Sequence, residues 1–322
     1  MYILRKVKSY TLTSFNGFIR DVNNCSAEEL NQVLALLLYK GHTKDRTLDT
    51  SYRTISTCPL LAKGMDIYVR DLSISSWNSK QAATQYQGEH SSHELAALLV
   101  TEAIQYSKFI SKLPVFLLFL DAKSAFDFVI IPYLVRQLYL SGMNEQAVTY
   151  MENRLLKRST ILEFDKTLVG PLHDERGLEQ GGVSSSDCYK LYNNELLETC
   201  QRSSLGVDMG ELVVSAVGQA DDTALLSNDI NQLKHILQLC LDYCEKYNVE
   251  LSTSKTKLLK FSPPRRTIIV PYNPIKIDDT CIKFVEQAEH VGVLRSVKGN
   301  LPNILERISS FKNALGSIVS NG

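Results

Sequence analysis

The eight residues Leu113-Pro-Val-Phe-Leu-Leu-Phe-Leu120 form the longest wholly apolar run in this 322-residue chain, and an acid, Asp121, follows at once. Eight residues fall far short of the roughly 20 that a helix needs to cross a bilayer. Apolar at every position from Val115, the run suits a strand buried on both faces, in a sheet covered by helices. The 44% apolar content is enough to build the core such a strand needs, which excludes a disordered chain. The N-terminus, Met1-Tyr-Ile-Leu-Arg-Lys-Val-Lys, never settles into a signal-peptide stretch, so secretion is not expected. Seven cysteines lie far apart except Cys240 and Cys244, whose spacing suits one helix face better than a zinc knuckle. They read as reduced thiols of an intracellular protein.

Lys and Arg balance Asp and Glu at 35 each, but not evenly along the chain. From Ser254 to Gly322 eleven cations face five acids, so a +6 tail follows a −6 body. Such a tail could contact a phosphate backbone or be a solvated face. Capping boxes at Ser26-Ala-Glu-Glu29 and Ser91-Ser-His-Glu94 predict two helices. The first runs through Leu34, Leu37 and Leu38 to near Gly41, the second through Leu95, Leu98, Leu99 and Ile104. Helices are predicted near 133–140, 145–156, 187–200 and 229–247, and a strand pair at 160–164 and 169–172, with a loop over 177–186. Leu212 to Gly218 and Thr223 to Leu226 read as a tight hairpin carrying Asp221 and Asp222 at its tip. Pro263-Pro-Arg-Arg266 is the candidate boundary before short strands and a last helix near 301–315. Helices and strands mix without strict βαβ alternation, which predicts an α+β fold.

Asp121 at the end of a buried strand and Asp221-Asp222 at a hairpin tip are each ordinary alone, as a cap and as turn chemistry. Convergence would be costly, because two carboxylates ~4 Å apart repel by about 4 kcal/mol at an effective dielectric of 20. Divalent cations remove that cost, and two of them can activate a 3′-hydroxyl and stabilise leaving pyrophosphate oxygens. Oxygen-only ligands favour Mg²⁺ or Mn²⁺ over zinc.

The segments Phe119-Leu-Asp121-Ala-Lys-Ser-Ala-Phe126-Asp127, Gly177-Leu-Glu-Gln180-Gly181, Gln219-Ala-Asp221-Asp222 and Ser254-Lys255-Thr256 resemble, in order, motifs A to D of reverse transcriptases. Tyr52-Arg53-Thr-Ile-Ser56 and Gln85-Tyr-Gln87-Gly88 resemble finger motifs, and His290-Val291-Gly292-Val293 the primer-grip turn, of non-LTR (LINE-type) retrotransposon enzymes. The resemblance implies a right-hand polymerase with fingers, a mainly antiparallel palm sheet packed on helices, and a partial thumb. It implies a helical lead-in over 1–39, the reverse transcriptase domain over 40–298 and a truncated thumb from 299, in a piece of a longer protein lacking the endonuclease domain. Asp121 and Asp221 would bind two Mg²⁺ or Mn²⁺ ions, with Asp222 completing the cluster and the Ala122 carbonyl assisting. Phe126 would be the steric gate against a 2′-hydroxyl. Gln180 and Gly181 would lie against nucleotide and template, Arg53 would hold the triphosphate, and Lys255 would protonate or neutralise pyrophosphate.

Implied partners are an RNA template, a DNA primer and dNTPs, with no membrane and no defined oligomeric state. The implied place of action is the nucleus. Two departures stand out: Gln219 replaces a usual aromatic residue, and Leu178-Glu179 replaces the usual proline context, setting an acid near the nucleotide path. RNA-directed DNA synthesis is the primary expectation. A decayed remnant that keeps the fold as a nucleic-acid-binding module is the alternative, and Phe126 disfavours an RNA-directed RNA polymerase.

Overall fold

The computed structural model describes residues 31–41, 45–48, 51–78, 82, 84–85, 93–264 and 275–298. The leucine-rich segment Gln32–Tyr39 is a strand, β1, and not the helix its leucines predict. Its burial follows a period of two, with Val33 and Ala35 fully buried and Leu38 49% exposed. Neighbours occupy both of its edges, and that two-sided pairing outweighs the helix preference of Leu. The Ser26 to Glu29 box lies outside the described residues, as do the final helix near 301–315 and Arg265 and Arg266.

After β1 come β2 (Tyr52–Thr57), α1 (Leu60–Asn78), α2 (His93–Tyr106), a π turn over Ser107–Ser111, and β3 (Val115–Asp121). The chain continues through α3 (Ile131–Leu140), α4 (Glu145–Leu156), β4 (Ser159–Phe164), β5 (Thr167–His173) and α5 (Ser185–Arg202). Short strands β6 (Val207–Asp208) and β7 (Val213–Val214) precede β8 (Ala216–Gln219) and β9 (Asp222–Ser227). Helix α6 (Ile230–Tyr247) then leads to β10 (Lys257–Phe261), β11 (Ile275–Ile277), β12 (Thr280–Ile282), β13 (Gln287–His290) and β14 (Val293–Ser296). No helix among the described residues is long and apolar enough to cross a membrane.

The chain divides into two units, Met1–Gln81 with Ser124–Glu195 and Ala82–Lys123 with Leu196–Gly322. In the first, a mixed sheet in the order β2-β1-β4-β5 pairs β1 antiparallel with β2 and parallel with β4. Helices α3 and α4 pack on each other there. In the second unit a wholly antiparallel sheet runs in the order β10-β3-β9-β8.

The apolar run is the second strand of that sheet. Val115 to Leu120 are buried without exception, as a strand covered on both faces requires. One face of β3, with Val115, Leu117 and Phe119, joins Ala224 and Leu226 of β9 and Val100 and Ile104 of α2 in one core. In α2 the predicted face holds only in part: Ile104 is buried and Leu99 packs against the core, but Leu95 and Leu98 are exposed, and Ala96, Ala97, Val100 and Ala103 fill the buried stripe. Small side chains there let the helix backbone lie close to its neighbours. Helix α6 is capped by Asp229, whose side chain accepts from the Asn231 and Gln232 amides, and ends on Asn248 in the left-handed region. Cys240 and Cys244 share its buried face, and Cys240 Sγ lies 3.8 Å from Cys200 Sγ.

The β13–β14 hairpin turns through Val291 and Gly292, at φ +44° and +71°, the two positive φ angles of a type I′ turn. Beside the turn, His290 is buried and stacks on Phe119 with centroids 4.6 Å apart and planes 8° from parallel. Neither ring nitrogen finds a hydrogen-bond partner. Burial, helped by the nearby Arg295 charge, pushes the imidazole down to about 3. A depressed histidine stabilises the fold fully above its usual value of 6.5, and that stability is lost as pH falls toward about 3. His290→Phe keeps the stack and removes the proton linkage. Its denaturation midpoint is therefore expected to decline less than the wild type's between about pH 6.5 and 3, measured by urea titration across that range.

Candidate active site

Antiparallel pairing of β3 with β9 sets Asp121 opposite Asp222 as Cα partners on the last rung of the ladder. On the other side of β9, Gln219 pairs with Asp222 across the two-residue turn Ala220-Asp221. Ala220 sits at φ +57°, in the left-handed region that glycine ordinarily fills at the first position of a type II′ turn. The Gln219 side chain tucks inward, leaving its Oε1 buried without a hydrogen-bond partner.

After α6 the chain returns to the end of β3 and is laced to it. Ser252 N–H donates to the Asp121 carbonyl at 2.7 Å, and Lys123 N–H donates to the Glu250 carbonyl at 2.8 Å. Between them Ala122 bridges Leu251, a rung built by its neighbours' groups and not by its own carbonyl. The Ser252 carbonyl then accepts from Lys255 N–H at 3.1 Å and Thr256 N–H at 2.9 Å, closing a turn. That turn directs Lys255 Nζ onto both carboxylate oxygens of Asp121, at 3.0 and 3.2 Å.

Burial, and then the charges of Asp221 and Asp121, push the Asp222 carboxyl up to about 6, against the pull of Lys255. Asp221 is exposed at the tip but within electrostatic reach. Among the described residues no three His, Cys, Asp or Glu side chains are gathered into a ready-made metal cage. The donor set nevertheless fits a hard divalent cation: oxygen ligands, two of them on one rung, with a third carboxylate near enough to oppose the ionisation of Asp222. Lys255 already seats one positive charge on Asp121.

The first unit holds a second group of the implied residues. Gly177 N–H donates to Val129 O at 2.9 Å and Leu178 N–H to Phe126 O at 2.7 Å, which binds the Gly177 loop to the segment after Asp121. Gly177 has φ +86°, and a Cβ there would fall 2.8 Å from the Asp127 carbonyl, so only glycine fits. Gln180 Nε2 donates to Asp127 Oδ1 at 3.3 Å, and the Gln180 carbonyl accepts from Ser56 N–H of β2 at 2.9 Å. Gly181, at φ +101°, passes over Ser56 O. Arg53 stands exposed on the same strand, opposite Leu38. Phe126, partly exposed, stacks on Tyr189. A cavity of about 270 Å³ opens here, lined by Ser56, Asp127, Arg158, Asp174, Arg176 and Gln180 among others.

Glu179 is not the free acid expected beside the nucleotide path. Its side chain is only 11% exposed, and its Oε1 lies 3.1 Å from Nη2 of Arg154, itself 5% exposed. Arg154 Nε lies 3.7 Å from Asp66 Oδ1, which accepts a hydrogen bond from Tyr150 Oη at 2.8 Å. These are charge pairings and not hydrogen bonds to the guanidinium. Burial is the main cause that raises the carboxyls of Asp66 and Glu179, opposed by Arg154.

Asp127 lay within the quoted motif but its bond to Gln180 had no signal in the sequence. Nothing local in the sequence marks Arg154 and Asp66 as partners in a buried ion pair. The +6 tail is not a uniform basic face: Lys255 engages Asp121, Lys298 pairs with Glu286, and buried Arg295 donates to Thr101 Oγ1 and the Ala97 carbonyl.

The family model described as reverse transcriptase (RNA-dependent DNA polymerase) matches residues 42–294, and the chain belongs to that family. No curated protein matches its sequence. Among solved structures, apo telomerase from Candida tropicalis matches at TM-score 0.56 and 10% identity, over 89% of this chain and 53% of that one. The same telomerase truncated from its C-terminal domain gives 0.55 and 11%, over 84% and 56%. Candida albicans telomerase, in complex with a fragment of telomeric RNA, gives 0.53 and 12%, over 84% and 45%. This chain thus spans little more than half of the first telomerase chains, and at these identities the likeness is one of fold. The reverse transcriptase fold is α+β, with antiparallel sheets packed on helices.

Removing the Arg154 cation leaves two carboxylates in a buried site. Arg154→Met is expected to cost about 3–5 kcal/mol, the range for breaking a buried pair from one side. Adding Glu179→Gln and Asp66→Asn should recover most of that loss, as read from chemical denaturation of the single and triple variants.

Proposed function

We propose that this chain is the RNA-directed DNA polymerase domain of a non-LTR (LINE-type) retrotransposon, extending a DNA primer along an RNA template with dNTPs. The observation that carries the reading is the shared rung of Asp121 and Asp222 with Lys255 on Asp121. Such a rung sets two carboxylates, with a third at the adjoining turn, where a structural role has no use for them. Membership of the reverse transcriptase family supports the activity, and the RNA in the Candida albicans telomerase complex supports an RNA partner.

Asp121, Asp221 and Asp222 would hold two Mg²⁺ or Mn²⁺ ions, with the Ala122 carbonyl as a further oxygen donor. When bound, these ions supply Lewis-acid activation of the primer 3′-hydroxyl and stabilise the leaving oxygens. Lys255 brings a positive charge and three N–H donors, suited to neutralising or protonating the departing pyrophosphate. Phe126 sets its ring against the sugar and leaves no space for a 2′-hydroxyl. Gln180, held by Asp127, and Gly181 line the nucleotide and template, and Arg53 grips the triphosphate through a forked contact. Val291, Gly292 and Val293 support the primer end. Synthesis at chromosomal DNA makes the nucleus the expected place of action.

Primer extension by the purified chain, with RNA and with DNA as template, tests this reading. RNA-templated dNTP addition is expected in Mg²⁺ or Mn²⁺. Asp121→Asn and Asp222→Asn should each lower it on the order of 10³-fold, and Lys255→Met about 10²-fold. A chain that binds an RNA–DNA hybrid but adds no nucleotide would establish the alternative, a remnant kept for binding.

A further inference from the structure

Phe126 is pinned through its backbone. Its carbonyl accepts from Leu178 N–H, Asp127 N–H donates to Ser124 O at 2.8 Å, and Val129 O accepts from Gly177 N–H. What remains free is the side-chain torsion, and a steric filter works only if its ring cannot swing aside. The ring is backed by Tyr189 of α5, with centroids 4.8 Å apart and planes 19° from parallel. Tyr189 is itself 4% exposed and stacked against Tyr192 at 6.2 Å, and Tyr192 is met edge-on by Tyr133 at 5.2 Å. Tyr133 Oη in turn donates to Glu195 Oε2 at 2.6 Å. The support is therefore not one loose ring but a column of aromatic side chains fixed at its far end.

We propose that Tyr189 is a specificity-positioning residue: it holds the Phe126 ring against retreat, and sugar discrimination depends on that backing as well as on Phe126. The proposal rests on the reading of Phe126 as the gate. It adds that the filter is a stacked pair, whose second member sits on helix α5. A nucleoside triphosphate bearing a 2′-hydroxyl would press on the ring. With Tyr189 present, yielding would require a well-packed, buried tyrosine to move too.

The test is the ratio of kcat/KM for a dNTP over the matching rNTP on an RNA template and DNA primer. It compares wild type, Tyr189→Leu, Tyr189→Phe, Phe126→Ala and the Phe126→Ala/Tyr189→Leu double variant. Tyr189→Leu is expected to lower the ratio about tenfold, the most that loss of one stacked ring contact permits, through faster rNTP addition. Tyr189→Phe keeps the ring and should keep the ratio. If Tyr189 acts through Phe126, the double variant should discriminate no worse than Phe126→Ala alone. Wild-type discrimination in Tyr189→Leu, or additive losses in the double variant, would overturn the proposal while leaving the gate itself intact. Should Tyr189→Leu not fold, as judged by thermal melting, Tyr189→Met fills more of the space and carries the same expectations. An unchanged ratio in Phe126→Ala, or no nucleotide addition by the wild type, would instead sink the gate reading and this proposal with it.

Discussion

Strand register is the constraint on which the acidic site depends. Because residues of an antiparallel pair face each other rung by rung, aligning the apolar halves of β3 and β9 leaves Asp121 and Asp222 no choice but to share the final rung. A slip of one residue would put Phe116, Leu118 and Leu120 in place of Val115, Leu117 and Phe119 in the core shared with α2, so the register is held by how these particular side chains pack. The acids are placed by hydrophobic packing several residues away. The return of the chain from α6 then adds Lys255 by the same economy of backbone pairing, through Ser252 on Asp121 and Glu250 on Lys123.

Much of this was legible before the structure, because the relevant signals are local. Six consecutive apolar residues after a proline announce a doubly covered strand, and two apolar runs flanking Asp221 and Asp222 announce a hairpin. Helices α3, α4 and α6 likewise follow from amphipathic spacing. What was not legible depends on distant partners. The leucines of β1 fit a helix pattern equally well, and only β2 and β4 on its two edges decide the matter. In α2 the leucines suggested the buried face, but Leu95 and Leu98 turn outward, and the core takes alanine and valine beside Leu99 and Ile104, where the helix must lie close.

Glu179 shows the same limit at the candidate site. From sequence alone, an acid just before Gln180 looks like a charge facing the nucleotide's phosphates, which would repel it. Arg154 and Asp66, remote in sequence, convert it into half of a buried ion pair. Loop and helix α4 are thereby tied together, while the neighbouring Gln180 is held by Asp127 and Ser56. A buried pair of this kind contributes little net stability, since desolvation offsets most of the attraction. Its effect is to select one loop conformation over others.

The distribution of strain bears on whether the chain is an enzyme or a binding remnant. Ala220 occupies a left-handed position beside Asp221, and Val291, a β-branched residue, occupies one at the hairpin implied to grip the primer. Positive φ is unfavourable for both, and most so for valine. Asp222 adds a carboxyl whose ionisation is opposed by burial and by two other acids. The acids at the end of β3 and β9 do not help the sheet to fold, and a surface that merely binds a phosphate backbone would be weakened by them. A carboxyl held against its own ionisation at the end of β3 and β9 is what a reaction centre uses and a binding module does not. The arrangement therefore favours the polymerase over the remnant.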